Sequence, residues 1–276
     1  MESLIELLPK LTSTLRKGSC GKIAVIGGSF EYTGAPYFAA ITALKLATIK
    51  SYSPSLIVYP GWKAEDVLSK IERAECIVMG SGMGRSEEAG TLAKAVFSYI
   101  AEHQMPAVYD GDAIFWACQS DFKFPKSKYV VFTPNRAEFD RMTKRFLGFE
   151  TLNEENETAL HDAVKKLVEQ IGASILLKGH ADYYMTVAKE SGLCDFESGL
   201  RRCGGQGDML AGALGVTLNW AMKSSKSEKS IAAACRASSY VVRTISKRAY
   251  EKIGRSADTP DMIQELPGLL RDVEKQ

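Results

Sequence analysis

The chain is short of histidine and has no paired-cysteine motif. It has three histidines and six cysteines in 276 residues. His103, His161 and His180 lie far apart and match no zinc spacing, so no zinc centre is expected. Cys20, Cys76, Cys118, Cys194, Cys203 and Cys235 are scattered with no CxxC pair, which reads as a set of free thiols. An excess of charge is missing too. Lys plus Arg number 35 against 33 for Asp plus Glu, a net +2, so nothing electrostatic points to nucleic acid or a membrane surface. No apolar run is long enough to span a bilayer. Residues 1–20 carry Glu2 and Glu6, no long apolar core and no small-residue cleavage site. They read neither as a signal peptide nor as a transit peptide, and the cytoplasm is the default compartment. There is no repeat, low-complexity tract or interdomain linker.

What remains is an ordinary globular composition, 45% hydrophobic and 25% charged. One domain over residues 1–276 is expected. Strands are predicted at 22–27, 56–59, 76–79, 107–109, 129–132, 174–178 and 183–187, with a weak turn or strand near Cys194 and Asp195. Helices are predicted at 34–50, 65–73, 87–100, 136–146, 157–171, 209–222, 227–250 and 260–275, with a short one after Asp112. Strands separated by helices imply right-handed crossovers, hence an α/β fold with a mainly parallel sheet covered on both faces. Phe38, Phe97 and Phe115 fall at core-like spacing. Ligands of such sheets bind beyond the carboxyl ends of the strands. Glycine or acid clusters follow five predicted strands: Gly27-Gly28, residues 80–84, Asp110-Gly111-Asp112, Thr133-Pro134-Asn135 and Lys178-Gly179.

The sharpest signal is Gly204-Gly205-Gln206-Gly207-Asp208, directly before an apolar helical pattern. Glycine backbone can turn its N–H groups inward without Cβ clashes, and a helix N-terminus adds unpaired donors and partial positive charge. Such a loop holds an anion. It lacks the Lys-Ser/Thr ending of a Walker A loop. Asp208 sits where repulsion from a phosphate would be worst, and proton abstraction beside the phosphate would account for it. Cys203 reads as a small filler next to tight backbone. Gly80-Ser81-Gly82-Met83-Gly84 follows a strand, but its spacing is wrong for a dinucleotide fingerprint; a tight strand-to-helix turn explains it equally well. Asp112 is expected to cap the next helix, leaving Asp110 for a metal or substrate contact. Asn135 and Glu138 lie one turn apart, where they either meet a polar ligand or cap each other. Lys178 ends an apolar strand and can reach a phosphate, and Arg201 and Arg202 can offset its charge.

These blocks together resemble the ATP-dependent (S)-NAD(P)H-hydrate dehydratases of the ribokinase-like fold, in their eukaryotic branch. The matching strings, in the family's order over nearly the whole chain, begin with Lys17-Gly18 and GKIAVIGGSFEYTGAPYFAA. SYSPSLIVYP, GSGMGR, DGDAIF, TPNRAEFDRM, LLKGHAD and RRCGGQGDMLAGALG follow. The resemblance implies a three-layer single domain and repair of reduced nicotinamide dinucleotides hydrated at the ring, with ATP and the hydrated NADH or NADPH as partners. It implies that Asp208 takes the hydroxyl proton during attack on the γ-phosphoryl group, with the N–H groups of Gly204, Gly205 and Gly207 beside it holding the developing charge. It places ATP against Lys178, Gly179, His180, Ala181 and Asp182. Ser198, Gly199, Leu200, Arg201, Arg202, Cys203, Gly204, Gly205, Gln206 and Gly207 complete that contact. The hydrated dinucleotide would meet Gly82, Gly84, Asn135, Arg136, Ala137, Glu138, Phe139, Asp140, Arg141 and Asp208. Magnesium would bridge the phosphates, and a homo-oligomer is compatible with the resemblance.

Two departures are visible. After Lys50 the chain passes almost directly to SYSPSLIVYP, where family members carry a further strand and connection. Gly199-Leu200 stands where the family tends to have Ser-Pro. The shortened region motivates an alternative, a catalytically impaired nucleotide-binding variant. A ribokinase-like small-molecule kinase is the other, since it would share the Gly-Asp loop.

Overall fold

In the computed structural model, residues 1–10, 12–13, 20–47, 59, 61, 63–225, 227–228 and 230–276 are described. Seven short strands form one sheet in chain order: β1 (Ile23–Ile26), β2 (Cys76–Met79), β3 (Ala107–Tyr109), β4 (Val130–Phe132), β5 (Ser174–Leu177), β6 (Asp182–Met185) and β7 (Ser191–Cys194). β1 to β5 are parallel, and β6 and β7 continue the sheet antiparallel. The mainly parallel sheet is as expected. The weak feature near Cys194 is a full strand, and the strand predicted at 183–187 begins one residue earlier.

Strand alternation sorts the core into two layers. Cys76, Val78, Val108, Val131 and Leu176 face one cluster, while Ile77, Met79, Ala107, Tyr109, Val130, Phe132 and Ile175 face the other. Every residue of β2 is buried, which is why it reads as a continuous apolar run rather than an alternating one. The first layer holds α1 (Glu2–Leu7), α2 (Gly34–Ala47), α8 (Gln206–Ser225), α9 (Ser230–Ile253) and α10 (Thr259–Glu274). The second holds α3 (Ala64–Ile71), α4 (Glu87–Glu102), α5 (Gly111–Ala117), α6 (Arg136–Leu147) and α7 (Glu157–Ile171). α1 was not foreseen: six residues are too short for periodicity to show, and burial of Leu4 and Leu7 holds it in place.

Among the described residues β1 ends the sheet, and its first three residues are only half-buried. The predicted strand at 56–59, Tyr59 apart, and the shortened region after Lys50 lie outside the described residues.

α8 is buried almost all round, from Met209 to Met222. Two glycines make this possible. A Cβ on Gly212 would stand 2.1 Å from the Ala39 carbonyl oxygen of α2, and one on Gly215 2.4 Å from Val78 Cγ2. Gly212→Ala must push two packed backbones apart, so it is expected to lower stability by about 3 kcal/mol. Urea unfolding measures this, and an unchanged midpoint would show that α2 and α8 are not in close contact.

Candidate active site

Parallel pairing in register brings the loops after β1 to β5 to one edge of the sheet. They touch one another there. The Gly28 N–H donates to the Ser81 carbonyl at 2.9 Å, and the Lys178 N–H donates to the Pro134 carbonyl at 2.9 Å. The Thr133 hydroxyl donates to Asp110 Oδ1 at 2.8 Å. The glycines of the 80–84 loop are needed for backbone reasons. Gly80, Gly82 and Gly84 have φ of 115°, 59° and 80°, and a Cβ on Gly80 would stand 1.9 Å from the Asp110 carbonyl oxygen.

At the centre of this edge is a largely buried charge cluster, with Asp110 buried and Lys178 and Glu138 half-buried. Lys178 Nζ donates to Asp110 Oδ1 at 2.6 Å and lies 3.7 Å from Glu138 Oε2. The glycine loop closes on it: a Cβ on Gly207 would stand 3.4 Å from Lys178 Nζ and 3.8 Å from Asp110 Oδ2. Asp208 follows in the first turn of α8, which begins three residues earlier than the sequence pattern shows. Burial and the neighbouring Asp110 carboxylate push the Asp208 carboxyl up to about 6, with Ser81 and Lys178 pulling the other way. Burial also raises Glu138, with Lys178 opposing and Asp110 adding to the rise. Burial works against the charge on Lys178, but Asp110 and Glu138 outweigh it and raise its pKa. The lysine therefore stays protonated between carboxylates, while Asp208 is poised to accept a proton near neutrality.

The 204–207 loop is held from behind. Gly205 has φ of 89°, and a Cβ there would stand 2.6 Å from Phe38 Cδ2. The Thr259 hydroxyl, buried at the start of α10, donates to the Gly204 carbonyl. Gly204 itself faces open space. Cys203 Sγ lies 3.4 Å from Thr259 Oγ1, in keeping with a filler role. Leu200, Arg201 and Arg202 are exposed at the approach to the loop.

Several predicted site residues are turned elsewhere. Asp110, not Asp112, occupies the N-cap position of α5. Asp112 lies inside the helix and accepts from the Gly84 N–H at 2.8 Å and from Arg85 Nε at 3.3 Å. It fixes the glycine turn instead. Phe139 is fully buried in the core, about 100° around α6 from its neighbour Glu138. Asp140 is buried and accepts from the Thr151 and Leu152 N–H groups at 2.7 and 2.9 Å. Arg136 donates to the carbonyls of Thr151 and Glu154. These two residues anchor the 148–156 connection. Asn135 and Glu138 form a capping box, and Glu138 still reaches toward Lys178. Arg141 lies over the half-buried ring of Phe115 at 5.7 Å, with Arg85 over the same ring at 4.1 Å. Phe115 is thus a platform for two cations as well as a packing residue.

The Asp182 carboxylate is fully engaged by the protein. It accepts from the Gly179 N–H at 3.1 Å, the Ser239 hydroxyl at 2.6 Å, and Arg243 Nε and Nη2 at 2.9 and 2.8 Å. No lone pair is left for ATP. Arg243 and Thr259 were not anticipated. A lone arginine within the apolar stripe of YVVRTIS was the available sign of the former.

A profile of the NAD(P)H-hydrate dehydratase family matches residues 23–268. The ATP-dependent (S)-NAD(P)H-hydrate dehydratase of Caenorhabditis elegans is 44% identical over 292 residues, covering 99% of this chain and 95% of that protein. The aligned length exceeds this chain's 276 residues, so the match opens gaps in this chain. A ribokinase-like superfamily protein from Enterococcus faecalis has the same fold, with a TM-score of 0.75 at 21% identity over 99% of this chain and 94% of that one. So does the ADP/ATP-dependent NAD(P)H-hydrate dehydratase of Bacillus subtilis, co-crystallised with ATP and Mg2+ (TM-score 0.77, 20% identity, 99% of this chain and 96% of that one).

Proposed function

The chain belongs to the NAD(P)H-hydrate dehydratase family, and we propose that it restores the S-epimer of hydrated NADH or NADPH at the expense of ATP. Hydroxide leaves a ring carbon poorly. Transfer of the γ-phosphoryl group to the ring hydroxyl forms an O–P bond and releases ADP. Phosphate then leaves with the C–O electron pair, a ring C–H proton is lost, and the double bond of the dihydronicotinamide returns. The observation that carries this reading is the placement of Asp208. It stands beside Gly207 at the N-terminus of α8, next to the Lys178–Asp110 pair, with its pKa near 6. There it takes the hydroxyl proton while the N–H groups of Gly205 and Gly207 face the transferring group. Gly82, Gly84, Asn135 and Arg141 border the dinucleotide side.

Asp110 and Glu138 offer hard carboxylate oxygens of the kind magnesium takes, with Lys178 already between them. Among the described residues no three such side chains converge into a cage. Asp110 and Glu138 are the residues that would face a magnesium ion arriving with ATP, which would supply charge neutralisation there.

The test is direct: purified chain, hydrated NADH and ATP are mixed, and the return of reduced-nicotinamide absorbance is followed. No return from folded chain rejects the reading. The pH dependence is a second expectation. A base must be ionised to act, so kcat/KM for the hydrated dinucleotide should fall as pH drops through about 6 and level off above it. A flat profile down to about one unit below that value would exclude Asp208 as the titrating base.

A further inference from the structure

We infer that Arg243, on α9, is the positioning residue that sets the nucleotide side of this site. It touches no substrate; it shapes the turn that would. The inference rests on the ATP-dependent reading above.

Arg243 is buried, and its guanidinium joins two separate segments at the site edge. Nε and Nη2 donate to Asp182. Nη2 also donates to the Gly179 carbonyl at 3.0 Å, and Nη1 donates to the carbonyls of His180 at 2.7 Å and Phe196 at 3.5 Å. Asp182 in turn holds the Gly179 N–H and the Ser239 hydroxyl. One planar fork thus fixes the turn after β5 to the chain leaving β7, the two stretches that lead toward ATP.

The consequence follows from peptide planarity. In a trans peptide the N–H points opposite to the C=O. With the Gly179 and His180 carbonyls drawn to Arg243, the N–H groups of His180 and Ala181 are aimed away from α9. Two successive N–H groups held in this way form a small anion-binding concavity. Lysine cannot replace the fork, because an ammonium is a point donor and cannot span a carboxylate and three carbonyls in one plane.

The experiment uses the full chain and three variants: Arg243→Lys, Asp182→Asn and Ser239→Ala. KM for ATP and KM for hydrated NADH are measured separately, and ATP is titrated calorimetrically into each chain without hydrate. For the first two we expect a rise of about tenfold or more in KM and Kd for ATP, with KM for hydrated NADH within about twofold. If either fails to fold, Ser239→Ala decides: it loosens Asp182 alone and should weaken ATP about threefold. Equal rises for both substrates would overturn the inference. So would a lower melting temperature with ATP affinity unchanged. A wild-type chain that binds ATP yet never restores NADH would sink the proposed function instead, and the calorimetric arm would still test the clamp.

Discussion

Asp208→Asn is expected to lower kcat by at least ~100-fold while ATP still binds. The substitution keeps the shape of the side chain and leaves the glycine loop alone, whose conformation is set by Phe38 and Thr259 behind it. What it removes is proton acceptance at the one carboxyl whose pKa stands near 6 beside Gly207. ATP affinity should hold or improve, because a negative charge leaves the vicinity of the phosphates. Single-turnover kinetics and calorimetry separate the two effects. Turnover within about threefold of wild type would mean that the proton goes elsewhere.

Lys178→Met should be the most damaging change to stability within the site. Asp110 is buried and Lys178 half-buried, at 6% and 19% side-chain exposure, and Glu138 lies close by at 16%. Without the ammonium, these carboxylates and Asp208 face one another with no cation at the centre. Removing one partner of a buried pair costs about 3 kcal/mol or more, because the remaining charge is uncompensated. The sign of the pH dependence is fixed by burial. Glu138 already titrates above its usual range, and losing Lys178 raises it further. A carboxyl with a raised folded-state pKa favours the fold when protonated, so the deficit should shrink as pH falls from about 7 to about 5. Urea unfolding at the two pH values measures this. An equal deficit at both would show that the carboxylates are screened by solvent. Turnover should be lost as well, since the lysine is the cation nearest Gly207.

The strands that build the platform were legible because they are buried on both faces: CIVM and SILL read as short apolar runs between turn residues. The five loop clusters were legible because parallel strands must present their carboxyl ends together. β7 was faint because SGLC has no β-branched residue and leaves alternate positions exposed. The capping roles at 110–112 were exchanged because the close approach of Gly80 to Asp110, and a φ of 49° at Gly111, decide where α5 starts. Neither is written locally. Within 135–141, the neighbours Glu138 and Phe139 are turned about 100° apart on α6, so Glu138 reaches toward Lys178 while Phe139 enters the core, and a block treated as one unit hides it. Asp182 looked available because its partner lies 61 residues away on α9. Long-range pairing of that kind has no signature beyond an arginine in an apolar stripe.

The most direct measurement counts products together. With hydrated NADH and ATP present, restored NADH, ADP and inorganic phosphate are quantified over the same time course. All three should appear in equal amounts, and with Asp208→Asn none should appear beyond ~1% of the wild-type rate. ADP accumulating against a phosphorylated product, with no NADH restored, would identify a kinase and contradict the account; NADH returning without ATP would contradict it equally.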